Sequence, residues 1–206
     1  MKKWVYGIIA AITVLGAVTM LKTNLALAPA QTVQAKAKKT KPVKVTTKKK
    51  LTKYLKKTKN AGSIVKGVAI VKGVTTIKVK DVADLKPVYF EYLANILGRA
   101  KKTPLAKNGL GIVQTNEYMD GNGKKDNMLE FSFFFAPADL EKLDFANWGH
   151  VVYRNPTQFY NSATGYYLMT EFVKQAKQTK KFMPNSDLMK YDDQGMSVNY
   201  MDKYGA

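Results

Sequence analysis

The chain has 206 residues, with 34 Lys and Arg against 15 Asp and Glu, a single histidine and no cysteine. The missing cysteine excludes a disulfide framework, a lipid-modified N-terminal cysteine and thiolate metal sites, and one histidine cannot supply a zinc triad. The net charge of +19 is unevenly placed: residues 36–59 hold twelve lysines and no acid, whereas residues 60–206 hold 19 basic residues against all 15 acidic ones, a net of +4.

The N-terminus has the three parts of an export signal. Met1-Lys2-Lys3 is basic, residues 4–21 are almost wholly apolar, and small residues follow at Ala26, Ala28, Val33 and Ala35. Signal peptidase excludes large side chains at the two positions it reads, so cleavage is expected after Ala35, with Ala28 and Ala37 as the other sites. The rival reading is an uncleaved anchor, because the apolar run approaches a membrane span in length. Either way the remainder is expected to be secreted or held at the cell surface. The lysine-rich, cysteine-free composition suggests a Gram-positive bacterium.

Residues 36–59 read as a disordered, lysine-rich linker, since a segment of one sign repels itself. Within it Leu51, Tyr54 and Leu55 fall at i, i+3 and i+4, a short apolar stripe that a membrane or an anionic polymer could turn into a helix. Lys48, Lys49, Lys50, Lys53, Lys56 and Lys57 surround that stripe and are the candidate polyanion-binding residues.

Residues 60–206 read as one domain. Ile64-Val65-Lys66-Gly67-Val68 repeats as Ile70-Val71-Lys72-Gly73-Val74, too few copies for a solenoid and more economically a strand pair or one strand broken by glycines. Residues 75–80 alternate apolar and polar as a half-buried strand does. A helix is expected over 84–101, capped by Asp84, with Pro87 in its first turn and Leu85, Val88, Tyr89, Tyr92, Leu93, Ile96 and Ala100 on one face. Residues 110–119 and 127–135 flank a turn-rich loop and predict a β-hairpin. Strict alternation puts Leu129, Phe131, Phe133 and Phe135 on its core face. A short helix over 137–143, a long one over 162–181 carrying Tyr166, Met169, Phe172, Val173 and Ala176, and a last strand over 196–201 complete the order. The expected class is α+β: an antiparallel sheet with a central hairpin packed against two main helices, the 84–101 helix lying across the Phe face, after a signal peptide and a disordered lysine-rich tail.

Chemistry is sparse. The loop from Asp120 to Asp126 resembles a calcium loop, but Lys124 stands where a ligand oxygen belongs, so a turn is the better reading and no metal is expected. Trp148, His150, Tyr153 and Arg154 form a candidate ligand patch for sugars or anions, set against the plainer reading of a strand or loop with a partly buried Trp. Glu117, Glu130, Asp120 and Asp126 are the only hint of paired carboxylates for glycoside hydrolysis. No nucleophile elbow or Gly-rich phosphate loop is present, and no cofactor is implied. The favoured function is non-enzymatic: an exported protein held on an anionic cell-wall polymer or lipid surface by its lysines, with nucleic acid not expected as a partner. A small wall hydrolase and a membrane-active cationic factor are the alternatives.

Overall fold

The computed structural model describes residues 43–80, 86–119, 121–170, 173 and 189–205. The expected export signal and cleavage sites, lysine-rich residues 36–42, Asp84 and Asp120 lie outside that set. Among the described residues no helix is long and apolar enough to cross a membrane.

The first element corrects an expectation. Residues Lys48–Leu55 form a helix, α1, whose Thr47 side chain accepts a hydrogen bond from the Lys50 amide at 3.3 Å. Leu51 and Leu55 are fully buried. The i, i+4 stripe is therefore a docking face in the domain's own core, and residues 48–59 belong to the fold rather than to a disordered linker. A glycine makes the dock close: a Cβ at Gly62 would stand 2.0 Å from the Lys56 carbonyl oxygen.

The repeated segments do not give one strand each: the first copy and the start of the second run together in strand β1 (Val65–Val71), Lys72-Gly73 of the second copy forms the turn, and its Val74 opens strand β2 (Val74–Val79), which pairs antiparallel with β1. Their two-residue turn has φ of 47° at Lys72 and 82° at Gly73, the left-handed pair that matches strand twist. Helix α2 (Pro87–Lys101) then crosses over, which lets β3 (Leu110–Met119) join β2 in parallel. Proline at its first position lacks only an amide that the helix start leaves unpaired. Strand β4 (Lys125–Phe135) completes the expected hairpin, and the six strands run in sequence order, all pairs antiparallel except β2 with β3.

Three further expectations fail for stated reasons. First, Gln114 faces Phe131 while Thr115 faces Leu129, so Glu130 is an extra residue in β4. The bulge shifts the face of everything before it. Phe131, Phe133 and Phe135 stay together in the main core, but Leu129 joins Val113 and Phe134 on the other side. Second, residues 162–181 do not begin as a helix. A short helix α5 (Thr157–Ser162) ends there, and Gly165–Leu168 is strand β5, hydrogen-bonded to the open edge of β4 with Tyr166 opposite Phe133. Helical residues resume at Thr170 and Val173; Phe172 and Ala176 lie outside the described set. Third, residues Met196–Tyr204 are a helix, α6, instead of a strand. Its buried residues Met196 and Tyr200 are four apart, and the Asp192 carboxylate accepts from the Met196 and Ser197 amides at 2.8 and 2.9 Å. A short edge strand, β6 (Met189–Lys190), pairs with β5.

Helices α1, α2, α4 (Trp148–Arg154) and α5 share the Phe face of the sheet, with α3 (Pro137–Lys142) contributing Leu140. Helix α6 covers the opposite face, where Tyr200 lies over Gly111 so closely that a Cβ there would stand 1.9 Å from its hydroxyl. The class is α+β, as expected, with α2 across the Phe face.

Candidate functional site

Burial of Leu51 and Leu55 decides where the lysines of α1 point. Lys48, Lys49, Lys50, Lys53, Lys56 and Lys57 are all exposed, as is Lys59 just beyond. The six candidate polyanion-binding residues thus stand on an ordered helix and its C-terminal extension. The apolar stripe that a membrane-active peptide would insert is already occupied by the protein's own core.

Next to the C-terminal end of α1 lies an open groove of about 660 Å³. One wall is Tyr54, Thr58, Lys59 and Asn60; another is the outward row of α2, Glu91, Asn95, Arg99 and Lys102; the third is α4 with the loop before it, Phe145, Ala146 and His150. Two glycines bring α2 and α4 together at its base. A Cβ at Gly98 would meet Phe145 Cδ1 at 2.8 Å, and one at Gly149 would meet Asn95 Oδ1 at 3.0 Å.

Arg99 is the best-positioned side chain in the groove. Its Nε donates to the Tyr54 carbonyl at 3.0 Å, and its guanidinium carbon sits 4.0 Å from the centroid of the Tyr54 ring. Stacking and the hydrogen bond together fix the guanidinium plane and also tie α1 to α2. Among the described residues no carboxylate pairs with Arg99, Lys59 or Lys102; the ion pairs there are Lys101 with Glu141, Lys125 with Glu117 and Lys142 with Asp139.

The candidate ligand patch divides. It lies on a helix, not on the strand or loop expected. Trp148 is buried and stacks on Phe159 at 5.2 Å, so it serves the core. His150 lines the groove, while Tyr153 and Arg154 are exposed elsewhere on α4. Sequence reasoning missed Tyr54, Arg99 and Lys102 as residues that share a groove with His150, because that grouping depends on the α1–α2–α4 packing. The spacing of Glu91, Asn95, Arg99 and Lys102 on one outward stripe of α2 was the available signal.

Among the described residues the candidate carboxylates Glu117, Asp126 and Glu130 take separate partners. Glu117 is exposed and bonded to Lys125 at 2.6 Å, and the exposed Asp126 accepts from the Asn127 amide at 2.8 Å. Glu130 is buried, where the bulge turns it into a hydrogen-bonded network: it accepts from Gln114 at 2.6 Å, Tyr118 at 2.7 Å and Asn116 at 3.4 Å, and Tyr89 donates on to Gln114 at 2.8 Å. Side chains alternate along β3, so Glu117 faces away from Asn116 and Tyr118, the residues that reach Glu130. Among the described residues no cluster of acids and histidine could hold a metal ion. Elsewhere the Asp139 carboxyl is held below its usual range by hydrogen bonds from Lys142 and Thr164. No protein-family model, no curated protein and no solved structure matches this chain.

Proposed function

We propose that the protein is an exported, non-enzymatic component of the cell envelope that binds anionic wall polymer through the lysine face of α1. The observation that carries this reading is the docking of α1: Leu51 and Leu55 are fully buried, which leaves Lys48, Lys49, Lys50, Lys53, Lys56 and Lys57 exposed. A polycation on a preformed helix loses less conformational entropy on binding than the same charges on a loose chain. Summed attraction and counterion release then supply the affinity. Export is supported by the basic-then-apolar N-terminus and the small residues at Val33 and Ala35. Cell-wall polymer is favoured over a lipid surface because the apolar stripe of α1 is not available for insertion.

The test is release from intact cells. Screening shortens to about 3 Å near 1 M ionic strength, so molar sodium chloride should wash the protein off. Replacing the six lysines with Gln should release it in low salt with the thermal melt unchanged, since none of them is buried. Retention of the Gln variant through a high-salt wash would defeat the reading and make another surface the wall binder.

A further inference from the structure

We propose that the groove between α1, α2 and α4 is a binding site for a phosphate group carried on a hydroxylated chain, gripped by Arg99 with Lys59 and Lys102. The inference rests on the proposed polymer binding in one respect: the groove opens directly beyond the lysine face of α1, so one polymer could run along both.

Three observations carry it. The first is the state of Arg99. Its Nε is committed to the Tyr54 carbonyl and its flat face to the Tyr54 ring, while its two terminal amino groups have no partner among the described residues. A part-buried guanidinium held in one plane with a free donor edge suits an oxyanion, which it can take through two parallel hydrogen bonds. The second is charge. Lys59, Arg99 and Lys102 line the recess with Glu91 as its only carboxylate among the described residues, and Glu91 and Arg99 are eight residues apart on α2, about 12 Å along the helix axis. The anion therefore has a cationic end to occupy, away from Glu91. The third is the remaining lining. Asn95 and Glu91, one and two turns before Arg99 on α2, offer amide and carboxylate groups suited to hydroxyls, and Asn60 adds a second amide to the lining, so the rest of the recess fits a polyol better than an apolar chain. At about 660 Å³ the recess falls within the range of small-ligand sites, roughly 300–1,000 Å³.

The chain's single histidine supplies a direct reporter, because His150 lines the same groove. Proton NMR of the exported protein would follow the His150 ring signals during addition of a short glycerol phosphodiester oligomer. A saturable shift is expected, with none from glycerol alone or from sodium chloride at matched ionic strength. Lys102→Gln, at an exposed position with no described internal contact, should weaken that binding about tenfold without moving the thermal melt. Arg99→Lys should weaken it similarly although the charge is kept, because the fork is lost. An unmoved His150, equal affinity in the Lys102→Gln protein, or an equal response to a glucuronate oligomer would overturn the proposal. Failure here is separable from failure of the wall-binding reading. If long polymer still binds through the α1 lysines while His150 stays still, only the groove assignment falls. If long polymer ignores the six-lysine substitution while His150 responds, only the α1 assignment falls.

Discussion

Phe133 shows how much a single residue carries. It is buried, and its ring lies 4.9 Å from Phe159, 5.4 Å from Phe131 and 5.5 Å from Tyr160, with Tyr166 opposite across the strand pair. Elements β4, β5 and α5 meet on this one side chain. Replacing Phe133 with Ala removes a ring from a close-packed cluster whose neighbours are themselves rings, which collapse poorly into a cavity. The expected loss is about 3–5 kcal/mol in chemical denaturation. A loss below about 1 kcal/mol would mean that the ring is not packed as described. Glu130 is the opposite case, a residue whose role alternation misassigned. A period of two carries every side chain to the wrong face once one extra residue enters, and nothing local to Glu130 announces the bulge.

Among the elements, α1 carries the lysines of the proposed polymer-binding face, and its stability is borrowed. Eight residues rich in lysine do not hold a helix alone. What holds this one is the burial of Leu51 and Leu55, the Arg99 link to Tyr54 and the close seat of Gly62 under the Lys56 carbonyl. A domain boundary at residue 60 would therefore cut through the core. A chain starting at Asn60 should melt well below one starting at Val43, because it leaves the Leu51 and Leu55 sites open to water. Gly62→Ala should move the full-length protein in the same direction by forcing Lys56 away. Equal melting of the two truncations, read by circular dichroism, would show that α1 adds nothing to the domain. Helix α6 and strand β5 were misread for a shared reason: short apolar segments fit either period, and pairing with the β4 edge or packing over Gly111 makes the choice.

At the scale of the whole molecule, the sheet is covered on both faces, and each face buries a tyrosine that must stay neutral. Tyr160 lies in the main core and Tyr200 under α6; burial pushes both hydroxyls well above the usual phenol range, and for Tyr200 a hydrogen bond with Thr76 opposes the shift only in part. In each case the folded value is raised, so the stability is intact below the unfolded value of about 10 and is lost as pH rises past it. Each tyrosine should remove about 1.4 kcal/mol per pH unit there. Tyr160 also has a buried hydroxyl with no hydrogen-bond partner among the described residues. Tyr160→Phe should then raise stability at neutral pH and make alkaline unfolding shallower. Melting curves from pH 8 to 12 decide it; an unchanged slope in the variant would show that Tyr160 does not titrate on unfolding.

Much was determined by the sequence alone. The apolar-rich residues 127–135 and the turn residues before them specify the central hairpin, the 3.6 period specifies α2, and the alternation of residues 75–80 specifies β2. These signals are local, spanning one element and its turns, and they suffice for the α+β class and for a strongly uneven charge. The tertiary structure decided the rest, because it decides what each short apolar stripe is buried against. Leu51 and Leu55 could have met a membrane, a polymer or nothing, and the free edge of their own core took them. That single choice turns the α1 lysines outward. It also brings Tyr54 under Arg99 and sets His150 and Lys102 on one recess, residues whose separation in the chain gave no sign that they share a groove.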